Sequence, residues 1–237
     1  MILIINIDKW NFVSKIVQPK AVLFRLQIAF IIFSLWVIPV WSGTNKNGTP
    51  CIIIRASSKK AQILRNFTFR SKKVLVPLFK TIVRPILEYA NTVWDSSYRN
   101  QINLIEAVQR KYTKHILEVK KLSYEDRLKR LKLPSLEFRR FRGDLIQAYK
   151  IAHKYYDRIS VNNLFRFNQN SRLRGHRFKL TKIITKKRQY QHFFTNRIVN
   201  SWNGLSDKTV NSNSIDAFKN NLDEEFKDLM YKTNLFQ

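Results

Sequence analysis

From Ser58 onward, apolar residues recur every three or four positions, the spacing of one buried face of an α-helix. "SKKAQILRNF", residues 58–67, places Ala61, Ile63, Leu64 and Phe67 on one stripe behind a candidate cap at Ser58. "LFKTIVRPILEYANTVW", residues 78–94, continues a stripe that starts at Leu75 and runs through Phe79, Ile82, Ile86 and Tyr89. Pro85 interrupts it, and a mid-helix proline removes one backbone hydrogen bond and predicts a kink costing about 3 kcal/mol unless packing offsets it. The cleanest amphipathic pattern spans 100–121, with Leu104 or Ile105, Val108, Tyr112, Ile116 and Val119 facing inwards. Two further helices follow in 122–157. Ser123 and Asp126 resemble a capping box, Leu128, Leu131 and Leu133 form the first face, and Pro134 ends it. Ser135 caps the second, whose stripe is Phe138, Phe141, Leu145, Ala148 and Tyr149.

The pattern weakens after residue 158. "FKLTKIIT", 178–185, alternates and predicts a strand, so one short hairpin is expected here. "QHFFTNRIVNSWNGL" puts Phe193, Ile198 and Trp202 on one side of a helix closed by Gly204. Ser214 caps a terminal helix that turns Phe218 and Leu222 inwards. The expectation is a mainly α fold of roughly six or seven helices joined by short loops.

The first 54 residues differ in kind. "AVLFRLQIAFIIFSLWVIPVW", 21–41, reaches the span of about 20 residues that a bilayer needs only by including Arg25 and Gln27. It is a candidate membrane span, with Trp36 and Trp41 suited to an interface. "SGTNKNGTP", 42–50, reads as a linker. The expected organisation is a hydrophobic segment and linker over 1–54, a helical bundle over 55–157 and a basic C-terminal region over 158–237.

Charge sharpens this division. The 237 residues hold 44 Lys and Arg against 16 Asp and Glu, a net +28. Residues 1–54 contribute five basic side chains and one Asp, leaving 39 basic against 15 acidic beyond them, a net +24. Such a surface repels itself unless a polyanion is near, and it is the footprint of nucleic-acid binding or of an anionic membrane surface. Arg139, Arg140 and Arg142 crowd the first half of a helix, against its dipole, so an external anion is one expected compensation and plain solvation the other. Arg110, Lys111 and Lys114 form a second cluster, and Lys186, Lys187 and Arg188 a third. A single cysteine, Cys51, excludes an intrachain disulfide and a cysteine-based zinc site.

In this order, "LFKTIVRPILEYANTVW", "INLIEAVQRKYTKHI", "LSYEDRLKRLKLPSLEFRRFRGDLIQAYKI", "SRLRGHRFKL" and "FFTNRIVNSWNGL" resemble the C-terminal part of reverse transcriptases from non-LTR retrotransposons of the jockey and CR1 type. The likeness covers about residues 58–226 and leaves 1–54 outside it. It implies a thumb-like helical bundle followed by a helical C-terminal region, serving target-primed reverse transcription with template RNA and primer DNA as partners. It further implies that Arg84 faces the template–primer duplex or solvent, and that Arg172 and Arg174 join the basic contacts. A nuclear or cytoplasmic location follows from the family, a membrane one from 21–41.

The catalytic part of that family is missing from this chain. The polymerase needs carboxylates that clamp two Mg²⁺ ions, carried by a paired Asp-Asp motif, and no such pair occurs here. The metal would belong to a palm that this sequence does not contain, so no cofactor is expected. "LDEEF", 222–226, is the densest acidic stretch and reads as a solvated helix face. The four histidines, His115, His153, His176 and His192, are scattered, and His176 in "RLRGHRF" reads as a basic loop contact. The expected function is a catalytically silent fragment of an RNA-directed DNA polymerase that binds nucleic acid without sequence preference. Alternatives are a membrane-anchored protein with a basic domain, and an open reading frame without selected function.

Overall fold

The "CIII" run at residues 51–54 extends the first helical stripe backwards, and the helix begins there. In the computed structural model, which describes residues 50–95, 98–156, 164–168, 175–186, 188–233 and 235, α1 spans Cys51–Asn66. Ile52, Ile53, Ala56 and Ile63 are its buried face. The Pro50 carbonyl accepts from Ile53 and Ile54, so the helix starts seven residues before Ser58. The boundary expected at 54/55 therefore falls inside a helix whose first turn is core. The candidate membrane span lies outside the described residues. Among those described, no helix is long and apolar enough to cross a membrane.

A nearly continuous helical rod follows: α2, Lys72–Leu78, a π-helical turn, Phe79–Val83, and α3, Arg84–Glu88. The π turn accommodates Pro85. Arg84 N–H reaches back five residues to the Phe79 carbonyl, and the wider turn relieves the clash a proline ring makes with the carbonyl four residues before it. It also sets the buried register. Each four-residue step in an α-helix over-rotates by about 40°, and the wide turn takes back much of that excess. Leu75, Phe79, Val83 and Leu87 are buried, whereas Ile82 and Tyr89, expected inside, are exposed. Ala90, in the left-handed region at φ 53°, turns the chain into α4, Asn91–Trp94.

α5, Arg99–Thr113, buries Ile105, Val108 and Tyr112 as its spacing predicts. It stops eight residues before the expected end at 121. The residues beyond it have other bonding to do: Leu117 N–H goes to the Arg70 carbonyl at 3.1 Å, and the Glu118 carboxylate accepts the Lys72 N–H at 2.9 and 3.1 Å. A carboxylate from a 3₁₀ turn, Leu117–Val119, thus caps the start of α2. α6, Tyr124–Leu131, and α7, Leu136–Ala152, carry the expected serine caps, Ser123 accepting from Asp126 N–H and Ser135 from Phe138 N–H.

Among the described residues, four short helices follow: α8, Arg188–Gln191; α9, Phe194–Arg197; α10, Val199–Asn203; and α11, Asp207–Val210. The inward face here is Phe194, Ile198 and Trp202, one residue on from the expected Phe193. α12, Ile215–Glu225, is capped by Ser214 and buries Phe218 and Leu222. The fold is mainly α. Among the described residues, the expected strand is reduced to one antiparallel bridge, Phe167 with Leu180. Past it the backbone pairs with side chains. Asn203 exchanges two 2.8 Å bonds with Leu180, and Asn196 holds Ile183 at 2.9 and 3.0 Å.

Two cores result. One runs from Ile52 to Leu136, the other from Phe138 to Leu222. The changeover lies inside the first turn of α7, well before the expected boundary at 157.

Candidate nucleic-acid interface

The arginine triplet on α7, for which an external anion and plain solvation are both expected, is spent internally by the fold. Arg139 grips Glu88 of α3 with two hydrogen bonds, the Nη2–Oε2 one at 3.0 Å. Arg140 donates to Asp95 at 2.8 Å. Arg142 holds Asp223 of α12 at 2.5 and 2.8 Å. Arg140 is 2 % exposed, so it is removed from any phosphate surface. The like charges on the first half of α7 are compensated by three carboxylates from three other segments. Two-pronged arginine–carboxylate pairs are the strong form of this interaction.

Two more carboxylates finish the same seam. Glu106 of α5 accepts from Tyr124 Oη at 2.5 Å and from the Leu136 and Glu137 N–H groups at 2.9 and 3.2 Å. It lies at the positive end of α7, although burial pushes its pKa upward. Asp144 accepts from Arg197 at 2.9 Å, and Arg197 also reaches the Thr92 carbonyl at 3.2 Å. Burial outweighs the two nearby guanidinium groups and pushes Asp144 up to about 6.

Arg84 is half-buried and lies 3.8 Å from Glu88, the carboxylate that Arg139 also holds. Burial, then Arg139, lowers its pKa. Its surroundings are a helix-to-helix contact rather than an open face. Arg110 is exposed, its guanidinium 4.9 Å from the Tyr124 ring centre. Lys111, Lys114 and Lys186 are exposed. Arg172, Arg174 and Lys187 lie outside the described residues, as does the Arg188 side chain.

What the fold brings together is a different basic face. Lys60 of α1 is pushed down by partial burial and then by the Lys111 ammonium on α5. His115 is lowered by partial burial and then by Arg70, Lys60 and Lys120. Lys60 of α1, Arg70 of the α1–α2 connection and Lys120 of the turn after α5 therefore act on one imidazole and disfavour its charged form, with Lys111 of α5 acting on Lys60. Among the described residues, none of Lys60, Arg70, Lys111 and Lys120 forms an ion pair. Lys60 and Arg70 were missed from the sequence. The one available signal was "TFRSKK", 68–73, a dense basic run that reads as a linker.

His176 is buried, its Nε2 3.0 Å from the Trp202 carbonyl, and Trp202 donates to the Phe178 carbonyl at 2.8 Å. Tyr112, Phe138, Phe141 and Phe194 are buried rings of the two cores. Among the described residues no group of three or more His, Cys, Asp or Glu is placed to hold a metal. No protein-family model, curated protein or solved structure matches the chain.

Proposed function

We propose that this chain binds nucleic acid without sequence preference, through the face formed by Lys60, Arg70, Lys111, Lys114 and Lys120. We propose further that it is a catalytically silent fragment of a non-LTR retrotransposon reverse transcriptase, corresponding to the thumb and the region after it. The observation that carries the binding reading is the convergence of Arg70, Lys60 and Lys120 on His115, with Lys111 acting on Lys60, none of them in an ion pair among the described residues. Such a face releases counterions when it meets phosphates, which gives affinity that depends on salt and not on sequence. The reverse transcriptase origin rests on the ordered sequence motifs alone. The alternative of a membrane-anchored protein rests on 21–41, and carbonate extraction of a membrane fraction tests it.

The decisive experiment is fluorescence anisotropy over a salt series with a B-form duplex. Log affinity falls linearly with log salt, with a slope of about −0.9 per phosphate contacted. Replacing Lys60, Lys111 and Lys120 by Gln makes the slope shallower by up to about 3 units. An unchanged slope in the folded variant overturns the assignment of this face.

A further inference from the structure

The basic face carries apolar side chains that the fold leaves outside. Phe69 is 71 % exposed, Leu117 is 65 % exposed and Phe67 is 40 % exposed. Scattered exposed hydrophobic residues need no explanation. These three, however, sit on two segments that are bonded together, since Leu117 N–H donates to the Arg70 carbonyl and Phe69 is the residue before Arg70. Consecutive Cα atoms are about 3.8 Å apart, so the exposed Phe69 is anchored on the backbone directly beside Arg70, one of the three cations that act on His115. The nearby Glu118 carboxylate accepts from the Lys72 N–H and keeps its charge, one negative charge against the three cations that act on His115.

We infer that this face takes single-stranded nucleic acid in preference to duplex, with Phe69 as a stacking residue for an unpaired base. The inference rests on the binding reading above and narrows its substrate class. In a duplex the faces of the bases are covered by their neighbours, and an exposed ring beside the phosphates has nothing to stack on. A single strand presents those faces, and proteins that hold it combine a positive groove with aromatic platforms. Phe69 and Phe67 supply planar rings, and Leu117 an apolar surface beside them. The phosphate-facing charge is the complementary half of the same arrangement.

The test uses the full chain and three probes: a fluorescent oligothymidylate of about 20 nucleotides, longer than a typical single-strand site, a duplex of equal length, and vesicles of phosphatidylcholine with about one-third phosphatidylserine. Phe69→Ala weakens oligothymidylate binding by about 5- to 150-fold and leaves duplex binding within about twofold. Phe69→Leu, which keeps the apolar bulk and loses the ring, behaves like Phe69→Ala, and Phe69→Trp restores binding. Equal losses on oligothymidylate and duplex, or no loss on either, overturn the stacking role while leaving the basic face standing. So does a Phe69→Ala variant that loses only vesicle binding, which would assign the ring to a lipid surface. If the Gln variant of Lys60, Lys111 and Lys120 binds every probe as the parent does, the underlying binding reading fails instead. Circular dichroism confirms the fold of each variant.

Discussion

Arg140, 2 % exposed on α7, donates its Nε–H to Asp95 at 2.8 Å and ties the segment after α4 to the helix that both cores share. A buried guanidinium stripped of its carboxylate is costly, because the charge stays while its compensation goes. Asp95→Ala is expected to lower stability by about 3–5 kcal/mol in urea unfolding. The double change Asp95→Leu with Arg140→Met recovers much of that loss, since an apolar pair of similar volume avoids the desolvation of both ions. A double variant as unstable as Asp95→Ala alone would show that the pair does more than neutralise charge.

Asp144 gives the fold a defined acid dependence. Its folded pKa is raised from 3.8 to about 6, so the folded state holds the proton more tightly than the unfolded chain does. The contribution of this group is therefore most stabilising below pH 3.8, is lost as pH rises towards 6, and is constant above that. The shift corresponds to about 3 kcal/mol across this window. Asp144→Asn is expected to flatten the pH dependence of urea unfolding between about pH 4 and 6 relative to the parent. Glu106, also raised by burial, contributes with the same sign and accounts for slope that remains.

Ile52 and Ile53, at 3 % and 6 % exposure, place the start of α1 in the first core. Deleting residues 1–54 removes both, and each buried isoleucine contributes about 1.5–3 kcal/mol. Thermal melting is expected to show a chain starting at Pro50 that is more stable than one starting at Arg55. Equal melting temperatures would place these two isoleucines outside the energetics of the core.

The missing Asp-Asp pair predicts no polymerisation. Purified protein supplied with RNA template, annealed primer, deoxynucleotides and Mg²⁺ is expected to extend nothing. Template-dependent product above a heat-killed control would contradict the silent-fragment reading.

What could be read from sequence was local. Ser123, Ser135 and Ser214 were visible as caps because a cap and the N–H it accepts lie within one turn. The inward faces of α5, α7 and α12 were visible for the same reason. The fates of Arg139, Arg140 and Arg142 were not, because their carboxylates stand 51, 45 and 81 residues away. A run of arginines reads identically whether it meets phosphate or a distant Glu88. The end of α5 at Thr113 was hidden likewise, since Leu117 and Glu118 are claimed by Arg70 and Lys72 across the fold. In the π turn, the register slipped because periodicity assumes one rotation per residue, and Pro85 changed it. The basic face was missed because charges from 60, 70, 111 and 120 become neighbours only after α1 and α5 pack.

The asparagine pairing after the Phe167–Leu180 bridge has a consequence for how this molecule avoids itself. Thr181, Ile183, Ile184 and Thr185 are β-branched, and Ile184 is 99 % exposed. An extended stretch of that kind, with idle backbone groups, is a template on which a second copy can add a strand and begin aggregating. Asn203 occupies both the N–H and the carbonyl of Leu180, and Asn196 both those of Ile183. The two amides act as plugs: they occupy the N–H and carbonyl of Leu180 and of Ile183, so an incoming strand finds the ladder interrupted at both residues.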